Sequence, residues 1–194
     1  MNGISTSIAW LIIVTGRPAA GKTTLAKWLG KQLSFPVFSK DSVKEVLFNE
    51  LGWRDREWSK MLGRASVELL YHLAQTQLEV GKSVILDNAF HPELASPKLR
   101  LLGEQYGIHT LQIICNTDSD TLFQRFKQRA KSGTRHDGHV DMQSLDELKA
   151  NLQRKRLLRL DIDGPVMQID TTDLAALQYE DILKRVKALI EGVE

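Results

Sequence analysis

The 194-residue sequence has one cysteine, Cys115, and five prolines. A lone thiol closes no internal disulfide and builds no cysteine-based metal cluster. It suits a reducing compartment, which we read as the cytoplasm. Charge of one sign is also scarce: 26 Lys and Arg stand against 24 Asp and Glu, a net charge of +2. That is not the basic excess of a dedicated nucleic-acid binder, so any basic function must be local. The apolar run Ile8 to Val14 is far short of the roughly 20 residues that span a bilayer. Met1 to Ser7 carries no cluster of Lys or Arg, so neither a signal peptide nor a membrane helix is expected. Repeats, low-complexity tracts and dividing linkers are missing too, which predicts one domain over residues 1–194. With 42% hydrophobic and 26% charged residues, the chain has the composition of a globular protein with a real core. Nothing in it sets an oligomeric state.

Ile8 to Thr15 is short, apolar and β-branched, and Gly16 and Pro18 bound it. Such a run predicts a strand covered on both faces within a parallel sheet. A helix is expected over about Lys22 to Leu33, where Leu25, Ala26, Leu29 and Leu33 recur at helical spacing. Pro36 to Ser39 reads as a second strand, and Ser42 with Glu45 makes a capping-box pattern that opens a helix to about Asn49. From Asp55 to Val80, the series Trp58, Leu62, Ala65, Leu69, Leu73 and Val80 predicts a long amphipathic helix, ended by Gly81. Ser83 to Leu86 is a third strand running into Asp87, and Ser96 with Pro97 is expected to open a helix to about Tyr106. Ile108 to Cys115 is a fourth strand, and Asp118 to about Lys131 a basic helix. After a loop from Ser132 to Val140, Ser144 and Glu147 form another capping-box pattern opening a helix to about Leu160, with Arg154, Lys155, Arg156 and Arg159 as its solvated face. Val166 to Ile169 is a fifth strand and Tyr179 to Ile190 a last helix. Short strands alternating with helices imply an α/β fold, a parallel sheet with helices on both sides.

The segment Gly16-Arg17-Pro18-Ala19-Ala20-Gly21-Lys22-Thr23 fits G-x-x-x-x-G-K-[ST] and lies after a buried strand and at a helix start. Glycines let backbone wrap an anion closely, and N–H groups at the helix start face phosphates. Lys22 would reach the β and γ positions, and Thr23 would offer its hydroxyl to Mg²⁺. The third strand delivers Asp87 to the carboxyl edge of the sheet, where a carboxylate holds Mg²⁺ directly or through water, or else caps the turn into Asn88.

A phosphate-binding loop does not name a reaction. The guanine signature N/T-K-x-D is missing, and the length leaves little room for the machinery of a remodelling engine. Asp41 follows the second strand, so its carboxylate should face the γ-phosphate and accept the proton of an attacking hydroxyl, unless it serves only as a helix cap. Arg125 and Arg129 share a helical face, with Lys127, Lys131 and Arg135 nearby and no acid between Asp120 and Asp137. Arginines on a segment that closes over the phosphates would stabilise the charge of transfer. Such a lid is expected over about residues 125–142. His136 and His139 lack a nearby third ligand, and the intervening glycine argues for a loop over a zinc site. The tryptophans Trp10, Trp28, Trp53 and Trp58 are expected to pack rather than to stack bases. An acceptor pocket would draw on Arg64, His72, Asn88, Phe90 and His91.

These residues resemble the small P-loop kinases, the group that includes polynucleotide kinase, gluconate kinase, chloramphenicol phosphotransferase and zeta toxins. The likeness rests on Gly16 to Thr24, Ser39-Lys40-Asp41, Val84 to Asp87, Arg125 to Arg135 with His136 to His139, and Asp170-Thr171-Thr172. It implies a P-loop NTPase fold, three layers α/β/α around a five-stranded parallel sheet of order 2-3-1-4-5 with a helical lid. It also implies ATP with Mg²⁺, and phosphorylation of a hydroxyl on a small molecule. Gly16 to Thr24 would bind the nucleotide, Thr171 would lie beside adenine, Asp41 would match the base, and Arg125, Arg129 and Arg135 the lid arginines. Asp87-Asn88-Ala89-Phe90 departs from the D-G-F-P-R of adenylate kinase, which argues against a nucleoside monophosphate acceptor. Polynucleotide 5′-hydroxyl phosphorylation, and an ATP-binding switch with no acceptor, are the rival readings.

Overall fold

A computed structural model describes residues 8–133, 135–153 and 159–192. Strand β1 (Trp10–Gly16) leads into helix α1 (Lys22–Leu33), followed by β2 (Val37–Ser39), α2 (Lys40–Leu51) and α3 (Arg56–Glu79). Then come β3 (Val84–Asp87), α4 (Pro92–Tyr106), β4 (His109–Asn116), α5 (Ser119–Ser132), two 3₁₀ turns at Asp137–His139 and Asp141–Ser144, α6 (Leu145–Gln153), β5 (Val166–Asp170) and α7 (Tyr179–Glu191). The five strands are parallel in the order β2-β3-β1-β4-β5.

All seven residues of β1 are buried, as its unbroken apolar character requires. Trp10, Ile12 and Val14 enter a core with Leu25 and Leu29 of α1 and Ile182 and Val186 of α7. Leu11 and Ile13 enter a second core with Leu70, Ala74 and Leu78 of α3 and Leu99 of α4. Helices therefore cover both faces. The register pairs Val14 with Asp87 and Gly16 with Cys115, so the ends of β1, β3 and β4 reach one edge together.

Several expectations are corrected. The buried stripe of α3 is Ser59, Leu62, Ser66, Leu70, Ala74 and Leu78. Of the six expected positions only Leu62 belongs to it, because two serines carry the stripe and a search for apolar residues slips to the neighbouring face. Helix α4 starts at Pro92, with Pro97 inside it. Pro97 is exposed, while Ser96 is buried and its Oγ accepts from the Asp161 N–H at 3.0 Å, so the apparent cap anchors a distant segment instead. Neither capping box forms: α2 begins at Lys40, before Ser42, and Ser144 turns its hydroxyl to the Val140 carbonyl at 3.2 Å. Their acids are engaged elsewhere, Glu45 with His139 and Glu147 with Arg56. Helix α6 is described to Gln153; Arg154, Lys155 and Arg156 lie outside the described residues, and Arg159 is exposed outside any helix. Leu160 is wholly buried and clasped by the Gln112 amide, whose Nε2 donates to its carbonyl at 3.1 Å and whose Oε1 accepts its N–H at 2.8 Å. Trp10 and Trp28 pack as expected, whereas Trp53 is 47% exposed. Trp58 is half-buried beneath the Arg54 guanidinium.

The corrected stripe makes a direct prediction. Leu70→Ala should cost about 2–5 kcal/mol, the range for a buried leucine. Its neighbour Leu69→Ala should cost about 0.5 kcal/mol or less, as exposed positions do. Urea unfolding of both variants checks it, and equal losses would contradict the stripe.

Candidate active site

The loop between β1 and α1 is shaped by backbone that side chains would obstruct. Gly16 has φ 149°, and a Cβ there would lie 2.5 Å from the Cys115 carbonyl oxygen. Gly21 has φ 80° and precedes α1 without any side-chain cap. The N–H groups of the first turn are thus left for an anion in the crevice. Lys22 is buried, and its Nζ donates to the Arg17 carbonyl at 2.9 Å, across the loop it belongs to. Burial lowers its pKa, with the Asp87 and Asp41 charges opposing that.

Thr23 donates through Oγ1 to Asp87 Oδ2 at 2.6 Å. Asp87 is 2% exposed, and its Oδ1 is buried without a hydrogen-bond partner. Burial raises its pKa, against the pull of Lys22 and of the Thr23 and Ser39 hydroxyls. A carboxylate oxygen without a partner beside a hydroxyl, next to a phosphate-binding loop, suits a hard cation that takes oxygen ligands and completes its shell with phosphates and water. Thr23 and Asp87 therefore fit Mg²⁺.

Over this edge lies a cavity of about 430 Å³. Of the residues expected from sequence, Pro18, Ala19, Gly21, Lys22, Thr23, Thr24, Asp41, Asp87, Arg125, Arg129 and Arg135 line it. Gly16, Arg17 and Ala20 shape the loop from behind, and the Arg17 guanidinium donates to the Leu152 carbonyl at 3.0 Å. Thr171 is wholly buried and off the cavity wall, its hydroxyl donating to the Asn116 carbonyl at 2.9 Å.

The three arginines do different things. Arg135 joins Asp41 and also meets Asp141 at 2.7 Å, tying α2 to the segment after α5. Arg129 reaches Asp141 at 3.5 Å. Arg125 instead donates to the carbonyls of Thr171 and Thr172, at 2.8 and 2.7 Å, pinning the loop after β5. Asp41 sits in the first turn of α2, which has no side-chain cap bond, so its carboxylate faces the cavity. Burial works against its charge, but the Arg135 guanidinium, helped by Lys40, outweighs that and holds Asp41 well below the usual carboxylate range.

Residues 135–141 rest on α2. The His136 ring stacks on Phe48 at 5.1 Å and the His139 ring meets it edge-on at 5.3 Å. A Cβ on Gly138 would fall 2.7 Å from the same ring, so glycine is required for that approach. His139 Nε2 meets Glu45 Oε1 at 3.0 Å. Burial, with the Arg135 charge, lowers the His139 pKa to about 3.

Sequence reasoning missed Lys44, Arg56 and Phe48. Lys44 is 4% exposed, lines the cavity and donates to Ser59 Oγ at 2.7 Å. Its signal was faint: Asp41, Lys44 and Phe48 fall at helical spacing on one face. Of the expected acceptor residues only Asn88 lines the cavity. Arg64 and His72 are exposed on α3, Phe90 is core, and His91 precedes α4 as its N-cap.

A glycine-shaped loop over buried β1, a lysine across it and a threonine paired with a strand-end aspartate define a P-loop NTPase of the kinase-like kind. The chain belongs to the family of the AAA domain, whose model matches residues 11–155. A crystal structure of a candidate kinase from Chloroflexus aurantiacus is similar to it at 36% identity and a TM-score of 0.87, covering 94% of this chain and 98% of that one. Adenylate kinase 8 of Mus musculus is 31% identical over 115 residues, 57% of this chain, and the match spans 23% of that protein. Kti12 of Chaetomium thermophilum, solved with ADP-AlF3, shares the fold at 18% identity and a TM-score of 0.63, covering 93% of this chain and 98% of that one. Among the described residues no helix is long and apolar enough to cross a membrane.

The buried histidine gives a pH dependence with a definite sign. Its folded pKa, about 3, lies below the ordinary 6.5, so between those values the unfolded chain binds the proton more readily and stability falls as pH falls. Asp41, depressed from 3.8, loses its contribution only at still lower pH, and Lys44, lowered to about 7 from 10.5, changes mainly above neutrality. The urea midpoint should drop from pH 7 to pH 5, and His139→Gln should flatten that drop. An unchanged slope in the variant would contradict it. In addition, Gly138→Ala should open the Phe48 contact, read as faster proteolytic cleavage at Arg135.

Proposed function

We propose that this protein is an ATP-dependent kinase that transfers the γ-phosphoryl group to a hydroxyl of a small molecule. The observation that carries the reading is Asp41, a carboxylate that lines the same cavity as Lys22 and Thr23 and is held there by Arg135. A hydrolase needs only to orient water, whereas a carboxylate held opposite the phosphates by an arginine suits an alcohol as nucleophile.

The loop residues 16–24 bind the triphosphate through N–H groups, and Lys22 neutralises charge at its β and γ oxygens. Thr23 and Asp87 would hold Mg²⁺, which neutralises phosphate charge when bound. The acceptor oxygen forms its bond to the γ-phosphorus as the bond to the β,γ-bridging oxygen breaks, ADP leaves, and the hydroxyl proton passes to Asp41. A carboxylate with so low a pKa is a weak base. It serves mainly to orient the hydroxyl and takes the proton late, which a loose transition state allows. Residues 125–142 act as a lid: Arg135 and Arg129, now shared among Asp41 and Asp141, have donors that a γ-phosphate would attract. Arg125 supports the nucleotide site through the loop after β5. The same chemistry would serve a 5′-hydroxyl oligonucleotide, and the adenylate kinase likeness makes a phosphate acceptor the other reading to exclude.

The test is transfer from ATP and Mg²⁺ into a metabolite extract supplemented with AMP and a 5′-hydroxyl oligonucleotide, read by mass spectrometry. A phosphorylated small alcohol is expected. Lys22→Ala should abolish turnover, and Asp41→Asn should lower kcat by about 10²–10⁴ with little change in KM for ATP. Phosphate appearing only on AMP or the oligonucleotide would overturn the small-alcohol reading, and full transfer in Asp41→Asn would remove its role. ATP hydrolysis with every acceptor unmodified would favour a switch.

A further inference from the structure

The wall of the cavity that α2 and α3 contribute is basic. Lys40, Lys44 and Arg56 line it, contributed by α2 and α3. The two lysines converge: a Cβ on Gly63 of α3 would lie 3.7 Å from Lys40 Cε and from both Cε and Nζ of Lys44. Both lysines therefore reach the same surface of α3.

Lys44 is the informative member. Its ammonium is buried, donates to the neutral Ser59 hydroxyl at 2.7 Å and lies 4.9 Å from the Phe48 ring centre. Among the described residues it has no carboxylate at ion-pair distance. Lys40 leans on Asp41 at 3.4 Å and Arg56 on Glu147 at 2.8 Å, both at the rim. Burying an ammonium with no carboxylate in contact is costly: burial, with the neighbouring Lys40 charge, lowers its pKa to about 7 against the pull of Asp41. An anion between Lys40, Lys44 and Arg56 removes that cost. Lys44 lies three residues after Asp41 on one helix, and side chains so spaced are neighbours, roughly 5–6 Å apart at Cβ.

Resting on the kinase reading for its orientation of the acceptor, we infer that Lys44, with Lys40 and Arg56, forms a subsite for an anionic group on the acceptor. The acceptor class is a small hydroxyl compound bearing a carboxylate or phosphate a few bonds from the hydroxyl that Asp41 engages. The geometry disfavours neutral polyols, which would leave the ammonium unpaired, and long neutral alcohols, which would bury apolar chain against three cations.

The experiment is equilibrium binding to the full chain already saturated with a non-hydrolysable ATP analogue and Mg²⁺, so that the P-loop is filled and cannot take the probes. Saturation is verified for each variant. The probes are matched: glycerate and glycerol 3-phosphate against glycerol, and glucose 6-phosphate against glucose. At least one anionic probe should bind about tenfold or more tighter than its neutral parent, and the two glycerol-derived arms tell carboxylate from phosphate. Lys44→Met should erase most of that preference. Lys40→Met, at a half-buried position where folding is not at stake, should reduce it. Equal binding of neutral and anionic probes, anionic binding untouched by both substitutions, or no anionic binding at all would each overturn the inference. Lysine-dependent anion binding in a protein that phosphorylates no acceptor would uphold the subsite and remove the kinase reading.

Discussion

Because β1 is buried on both faces, its side chains alternate between two separate cores, and a slip of one residue would exchange Ile12 with Leu11 and Val14 with Ile13 across the sheet. Register is thereby fixed by packing as well as by hydrogen bonds. It brings Asp87 beside Val14 and the Cys115 carbonyl against Gly16. The Thr23–Asp87 contact depends on that alignment, since the two residues are 64 positions apart in the chain. The phosphate-binding edge is thus the polar end of an apolar constraint.

Around that edge the cavity gathers seven basic side chains and four acidic ones. Their pairing is uneven. Arg135 is shared by two carboxylates, Arg125 is committed to backbone carbonyls, and among the described residues Lys22 and Lys44 donate to neutral acceptors. Charges held this way are preorganised for an incoming anion, because the cost of desolvating them is met in folding rather than during binding. The two lysines are anchored differently, Lys22 to the P-loop and Lys44 to α3.

The features that were legible in sequence are those whose residue type is dictated by backbone or by two-sided burial. Gly16 and Gly21 sit at φ values that strain other residues, β1 is buried throughout and mostly apolar, and Asp87 ends a strand that is otherwise apolar. The sheet and the phosphate loop follow from these. The rest was hidden because polar residues took apolar places. Ser59 and Ser66 occupy the buried stripe of α3, and Lys44 the buried face of α2. Capping patterns misled as well, since α2 begins two residues before Ser42 and the acids Glu45 and Glu147 meet His139 and Arg56 instead. The acceptor residues were misplaced because α3 and α4 direct His72 and His91 outward, which no local signal in the sequence records.

Helix α2 joins these separate elements. Asp41, Lys44, Glu45 and Phe48 follow at intervals of three, one and three, so they lie along one face of the helix. Asp41 and Lys44 line the cavity, and Glu45 and Phe48 meet His139 and Gly138 of the segment after α5. A small rotation of α2 would therefore move the Asp41 carboxylate, the Lys44 amine and the Phe48 contact together. Arg135 closes the circuit, since it leaves the segment after α5 to meet Asp41 at the start of the same face. The guanidinium that meets Asp41 thus belongs to the segment seated on Phe48, so the carboxylate and that packing contact are linked through one side chain rather than a long pathway.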